Sequence, residues 1–308
     1  MTVPIAIVGV GKIARDQHLP TIVASDRFTL AGAVSRHAGD LGVPVADSIA
    51  ALKDAVPELA AVSICTPPIG RADVIAEALS LGLDVMVEKP PAATLSEAER
   101  FADMARAAGR SLYLTWHSRS ANGVEPLRDW LAGRRIRRLA IEWMEDVRVW
   151  HPGQEWIWEP GIGVFDPGIN ALSILTRLLR EPVAVSASTL HFPSNCAAPI
   201  SAELAFESAA ADVVTASFSF DQRGPQTWQM TVETDDGSAQ LRDGGGRLLI
   251  DGVEASVPQA TEYGRLYDRF ADLIAERAID ADLVPFRLVA DAFLLGRRET
   301  ADAFSWDA

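Results

Sequence analysis

Val3-Pro-Ile-Ala-Ile-Val-Gly9-Val-Gly11-Lys-Ile-Ala14 decides the fold of this chain. An apolar run of strand character ends in Gly-x-Gly-x-x-Ala and passes straight into a helical pattern. In a dinucleotide-binding fold Gly9 allows the tight turn, Gly11 lets the backbone approach a pyrophosphate, and Ala14 lets the helix pack close to the sheet. Lys12 and Ile13 lie within the same loop. The helix then offers its free N–H groups and positive dipole end to the phosphate. A bare Gly-x-Gly-x-x-Ala match is weak; its place between strand and helix gives it weight. The competing reading is a tight strand-to-helix turn with no ligand.

Outward from this stretch the pattern repeats. Residues 28–34, 60–65, 83–87 and 111–116 read as strands. Residues 48–55, 71–81 and 96–108 read as helices, capped by Asp47 or Ser48 in the first case and by a Ser96–Glu99 capping box in the last. Gly82 and Gly109 stand where helices stop. Such alternation predicts a doubly wound parallel sheet with its ligand at the C-terminal strand ends. After Trp116 the pattern changes. Strands are expected at 138–147, 183–190, 213–220, 228–234 and 248–250, with helices at 124–131, 165–178, 266–277 and 286–298. Asp235-Asp-Gly237 and Gly244-Gly-Gly246 read as turns. The fold class is therefore α/β: a Rossmann domain over residues 1–118 and a second α/β domain over 119–308 with a large open, mostly antiparallel sheet.

The chain has 308 residues, more than one core usually supports, which agrees with two domains. A net charge of −14 repels nucleic acid and anionic membranes, so neither is an expected partner. Two cysteines, Cys65 and Cys196, make no disulfide framework, and no export signal or spanning segment is read, so a cytoplasmic location is expected. No metal site is expected, because the acidic and histidine residues lack ligand spacing.

The end of the second strand selects the adenosine ribose. Here it reads Ala33-Val34-Ser35-Arg36-His37, with no carboxylate. Ser35 can donate to a 2′-phosphate, and Arg36 can pair with it or lie on adenine. NADP is expected as the preferred cofactor, with NAD also used. Cys65, Thr66 and Pro67 end the third strand, and Glu88, Lys89 and two prolines end the fourth. Those ends join the cofactor-binding set, and the prolines give Lys89 a defined backbone direction. Asp166 and Asn170 lie four apart on the expected helix 165–178, where Pro167 suits the first turn and the dipole favours a carboxylate.

With the glycine fingerprint, Glu88-Lys89-Pro90 and Asp166-Pro-Gly-Ile-Asn170 resemble the Gfo/Idh/MocA oxidoreductases. Gly11-Lys-Ile-Ala-Arg-Asp-Gln-His-Leu-Pro20, Thr115-Trp-His-Ser-Arg119, Trp150-His-Pro-Gly-Gln154 and Trp156-Ile-Trp-Glu-Pro160 carry the likeness to the subgroup acting at C1 of L-arabinose and D-galactose. The resemblance spans nearly the whole chain. It implies oxidation of an aldopyranose at C1 to the lactone, and a homodimer or higher homo-oligomer formed through the second sheet. It makes Lys89, Asp166 and Asn170 the catalytic residues. Many members carry His where this chain has Asn170, so the family's usual base is absent, as it is in the sugar 1-dehydrogenases. Besides those three, Glu145, His151, His117, Trp150 and Trp228 are expected around the sugar, with His117 alternatively a hydrogen-bonded residue under the cofactor. His18 is read as helix bending or packing. A related oxidoreductase acting on another sugar, an inositol or a dihydrodiol, or a non-catalytic NADP-binding sensor, are the rival readings.

Overall fold

A parallel strand buried on both faces reads as an unbroken apolar run, and β1 (Val3–Val8) is one: Ile5, Ala6 and Ile7 have no exposed surface. The computed structural model, which describes residues 2–36 and 38–307, places β1 inside a seven-stranded sheet. The other strands in chain order are β2 (Phe28–Val34), β3 (Val45–Ala46), β4 (Ala61–Ile64), β5 (Asp84–Val87) and β6 (Leu112–Leu114), with the short strand Ile279–Asp280 at one edge. From that edge the order is β6, β5, β4, β1, β2, β3, and every pairing is parallel. The chain leaves β1 in one direction toward β2 and returns on the other side through β4, the switch point at which such sheets bind ligands.

The helix after the glycine turn begins with a π-helical stretch, Ala14–His18, and continues as α1 (Leu19–Ala24). Pro20 has no N–H for the Asp16 carbonyl, and the turn before it widens. Next come α2 (Ile49–Ala55), α3 (Arg71–Ser80) and α4 (Leu95–Ala108). Ser48 caps α2 through a 3.1 Å bond from Ala51 N–H. The capping box of α4 sits two residues earlier than the sequence suggested. Thr94 Oγ1 accepts from Glu97 N–H, and the Glu97 carboxylate accepts from Ala93 N–H.

The second unit holds α5 (Val124–Trp130), β7 (Ile136–Met144), α6 (Val147–Trp150) and α7 (Phe165–Leu178). It continues with β8 (Ala184–Pro193), β9 (Ser201–Ser208), β10 (Ala211–Ser219), β11 (Thr227–Thr234), β12 (Gly237–Arg242), β13 (Arg247–Ile250) and β14 (Val253–Glu254). Then follow α8 (Glu262–Glu276), the edge strand β15 (Ile279–Asp280), α9 (Val284–Leu295) and β16 (Arg297–Ala301). Nine strands form one mixed sheet in the order β14, β13, β12, β11, β7, β10, β9, β8, β16. Among the described residues only β10–β7 and β16–β8 pair in parallel in this sheet, so it is mostly antiparallel, as expected. Val214, Ala216 and Phe218 of β10 turn inward. A Cβ on Gly168 of α7 would lie 2.9 Å from the Phe218 ring, so this glycine lets α7 rest directly on the sheet.

Further sequence readings need correction. The helix expected over 286–298 stops at Leu295, and the chain turns into β16 beside β8. β9 was not read, although Ala202, Leu204 and Phe206 alternate inward. Residues 260–283, expected in the second domain, cluster with residues 1–117. The reason is the apolar face of α8: Tyr263, Leu266, Tyr267 and Phe270 join the core of Ile5, Ile7 and Phe28. Phe270 stacks on Phe28 with ring centroids 5.7 Å apart.

Candidate active site

Val8, Val34, Ile64 and Val87 are in register, so β1, β2, β4 and β5 end together at one edge of the parallel sheet. Gly9 takes φ +90°, and a Cβ there would lie 2.9 Å from Thr66 backbone nitrogen. Gly11 has nothing within 4 Å of its missing Cβ. Gly11, Lys12 and Ile13 are exposed, whereas Ala14 is fully buried against the sheet. Lys12 pairs with Asp16 in the same turn. Ser35 is half-buried and Arg36 exposed at the end of β2; His37 lies outside the described residues. After β4, Cys65 and Thr66 are half-buried and Pro67 exposed. Thr66 Oγ1 is buried without a hydrogen-bond partner among the described residues. An open glycine step, a free helix start and an unsatisfied hydroxyl fit a dinucleotide laid along this edge.

The end of β5 is held by a buried polar network. Glu88 is 4% exposed. Its Oε1 accepts from His18 Nε2 at 3.0 Å and from Tyr263 OH at 2.8 Å. Its Oε2 accepts from the Lys89 backbone N–H at 3.0 Å. His18 Nδ1 lies 2.8 Å from Tyr267 OH and 3.1 Å from Ser63 Oγ. His18 is thus a buried packing residue, as the sequence suggested, and it also anchors the Glu88 carboxylate. His117 Nδ1 meets Glu262 at 2.6 Å, and its ring stacks on Tyr263. Lys89 itself is half-buried, and the Lys89–Pro90 peptide is cis.

Burial alone would push the Glu88 carboxyl up, but the His18 hydrogen bond and charge hold it at about 2, below the ordinary 4.5. Burial opposes the His18 cation, yet Cys65, Tyr267 and Glu88 keep its pKa well above 6.5. A depressed carboxyl stabilises the fold above pH 4.5 and loses that contribution as pH falls toward 2. A raised imidazole contributes below pH 6.5 and loses it as pH climbs through the folded value. The pair is therefore at full strength between pH 4.5 and 6.5. The Glu88 depression corresponds to on the order of 3 kcal/mol. Denaturant unfolding measured from pH 4.5 down to 2 is expected to show that loss in the wild type and a shallower slope in Glu88→Gln. Parallel curves would show that Glu88 is not the group titrating.

In the second unit α7 and the segment after β7 bring the other expected residues together. Glu145 and Asp166 are buried, at 3% and 7% exposure. His151 Nε2 stands 3.7 Å from the Glu145 carboxylate and 3.5 Å from that of Asp166. Trp228 Nε1 donates to Glu145 at 3.0 Å, and Trp150 lies 4.8 Å from Trp228 between ring centroids. Asp166 occupies the first turn of α7, its N–H bonded to Gly163 O at 2.8 Å, and Asn170 follows one turn later, half-buried. Trp150 is exposed, while Trp116, Trp143 and Trp158 are core residues. Among the described residues no group of three or more His, Cys, Asp or Glu side chains has a metal-binding arrangement. No described helix is long and apolar enough to cross a membrane.

A family model for oxidoreductases with an NAD-binding Rossmann fold, GFO_IDH_MocA, matches residues 3–115. Galactose 1-dehydrogenase of Pseudomonas fluorescens is 41% identical over 300 residues, spanning 97% of this chain and 98% of that one. The chain belongs to the Gfo/Idh/MocA oxidoreductase family. The crystal structure of a D-galactose-1-dehydrogenase protein from Rhizobium etli superposes with a TM-score of 0.94 at 46% identity, covering 99% of this chain and 98% of that one. A 3-ketoreductase from Actinomadura kijaniata, solved with NADP and TDP-benzene, gives a TM-score of 0.85 at 16% identity over 98% of this chain and 100% of that one, and so shares the fold. Sequence reasoning did not single out Arg71, Tyr263 and Tyr267, whose hydrogen bonds hold the ends of β4 and β5 and the buried His18. Arg71 left one signal, a cation at the start of a helix, where the dipole disfavours it.

Proposed function

We propose that this chain is an aldose 1-dehydrogenase that prefers NADP, also uses NAD, and oxidises D-galactose, L-arabinose or D-fucose at the anomeric carbon to the aldonolactone. Its likeness over almost the full length to galactose 1-dehydrogenase carries the reading. The polar and aromatic cluster of Glu145, His151, Asp166 and Trp228 supports it, because a sugar needs hydrogen bonds to its hydroxyls and flat apolar surface beneath its ring.

The anomeric hydroxyl must lose a proton as C1 loses a hydride. The nicotinamide cofactor, when bound, supplies the hydride acceptor. Gly9, Gly11, Lys12 and Ile13 would hold its pyrophosphate, with Ala14 packing the helix beneath them; Ser35 and Arg36 would hold the adenosine 2′-phosphate, and Cys65, Thr66 and Pro67 the remaining edge, with Glu88 behind it. Lys89 ammonium and the Asn170 amide donate to the C1 oxygen as negative charge grows there. Asp166 is the first choice to accept the proton, directly or through water, and a neutral Lys89 is the competing base. Glu145 and His151 bind ring hydroxyls, and Trp150 and Trp228 shape the pocket. The three named sugars share their ring stereochemistry and differ at C5, a difference worth about 1–3 kcal/mol in a pocket of this kind.

Kinetics on D-galactose, L-arabinose, D-xylose and D-glucose with both cofactors test the whole reading. The first two sugars are expected to turn over with the higher kcat/KM, and NADP to be favoured over NAD. In Arg36→Asp the NADP kcat/KM is expected to fall about 10- to 100-fold, the loss of a charge-assisted phosphate contact, with NAD kinetics little changed. Absence of turnover with every aldose would favour the sensor reading. An NADP constant unmoved in Arg36→Asp would remove the cofactor assignment.

A further inference from the structure

Arg71 heads the fully buried side chains by volume, with 2% of its surface exposed, and it opens α3. A guanidinium is costly there twice over: burial strips its water, and the helix start carries positive dipole. Burial lowers its pKa to about 10, against the opposing charge of Glu88, so at neutral pH it remains a cation. Its two terminal nitrogens are held by backbone oxygens, while its Nε is buried without a hydrogen-bond partner among the described residues. Its Nη1 donates to the carbonyls of Glu88 and Pro90, one on each side of Lys89, and its Nη2 to the carbonyl of Thr66 after β4. From the other direction the Glu88 carboxylate takes the Lys89 N–H. That carboxylate is held in turn by His18 and Tyr263. The peptide groups around Lys89 are thus tied to buried charged side chains.

We propose that Arg71 is the positioning residue for Lys89, locking the loop after β5 to the loop after β4 so that the ammonium is presented in one direction. The proposal rests on the reading of Lys89 as the donor to the C1 oxygen. A planar fork with five N–H groups reaches carbonyls of two loops at once; a lysine ammonium is a compact point donor on a different stem. Small misplacements at a reacting centre cost turnover steeply, about 10²-fold for 1 Å. A residue that merely held the fold together would lower the active fraction instead, whatever stood at position 89.

A double-mutant cycle separates the two roles. Turnover is measured per chain that binds NADP, counted by fluorescence titration, which removes misfolded protein from the rate. Arg71→Lys is expected to lower kcat about 10- to 100-fold in the wild-type background. In the Lys89→Ala background the same change is expected to cost less than about twofold, because the group it positions is gone. NADP affinity is expected to stay within about threefold in both. Equal losses in the two backgrounds, or wild-type turnover in Arg71→Lys, would overturn the proposal while leaving the role of Lys89 intact. Full turnover in Lys89→Ala would remove the reading of Lys89 and this proposal together. Arg71→Ala with added guanidinium is the second variant, should the lysine variant not fold. Turnover that rises with guanidinium only when Lys89 is present supports the assignment, and no rise contradicts it.

Discussion

Lys89→Ala is expected to lower kcat on D-galactose by about 10²- to 10³-fold, the usual cost of removing one preorganised donor from a developing oxyanion. Folding is expected to survive, because the backbone of residue 89 is held through its N–H by Glu88 and through its neighbours' carbonyls by Arg71. Those bonds use no atom of the lysine side chain. The loss therefore falls on kcat, as an interaction made mainly in the transition state should. Steady-state kinetics with a melting curve and an NADP titration on the same sample check it. Turnover within a fewfold of wild type would strip the proposed reaction of its central donor.

The strand-turn-helix at the start of the chain was legible because every signal in it is local. Apolar residues on both faces make β1, Gly9 turns the chain, and Ala14 meets the sheet within five residues of it. Helix α7 was legible in its bounds for the same reason, and with it the shared face of Asp166 and Asn170. What could not be read were pairings across distance. Glu145 and Trp228 were both expected near a sugar. Their hydrogen bond exists because β11 lies antiparallel to β7, with Trp228 opposite Trp143, two residues before Glu145. No local pattern encodes that register. The apolar stripe of α8 was visible as a helix, but a stripe does not say which core it will cover, and this one returns to the nucleotide-binding sheet. His18 shows the same limit in charge. A histidine before a proline reads as a bend, and only the fold brings Glu88, Tyr263 and Tyr267 around it.

Asp166→Asn tests the other half of the reaction. The substitution keeps the shape of the side chain and removes the group that can accept a proton, so binding contacts around it suffer least. Asn170 cannot take over, since an amide has no basic nitrogen. Of the groups beside Asp166, His151 stands 3.5 Å away, with Glu145 beyond it. Both are proposed to hold ring hydroxyls and are committed to that geometry. The expected result is a fall in kcat of about 10²- to 10⁴-fold, the range for loss of a positioned general base. The sugar KM is expected to change far less. With the internal base gone, the proton must leave to solvent, so the residual rate is expected to climb with hydroxide concentration where the wild-type rate has levelled off. A residual rate that does not respond to hydroxide, or turnover within tenfold of the wild type, would move the base away from Asp166. The proton would then leave through another group, and the carboxylate at the head of α7 would be left with the structural role that its place at a helix N-terminus already gives it.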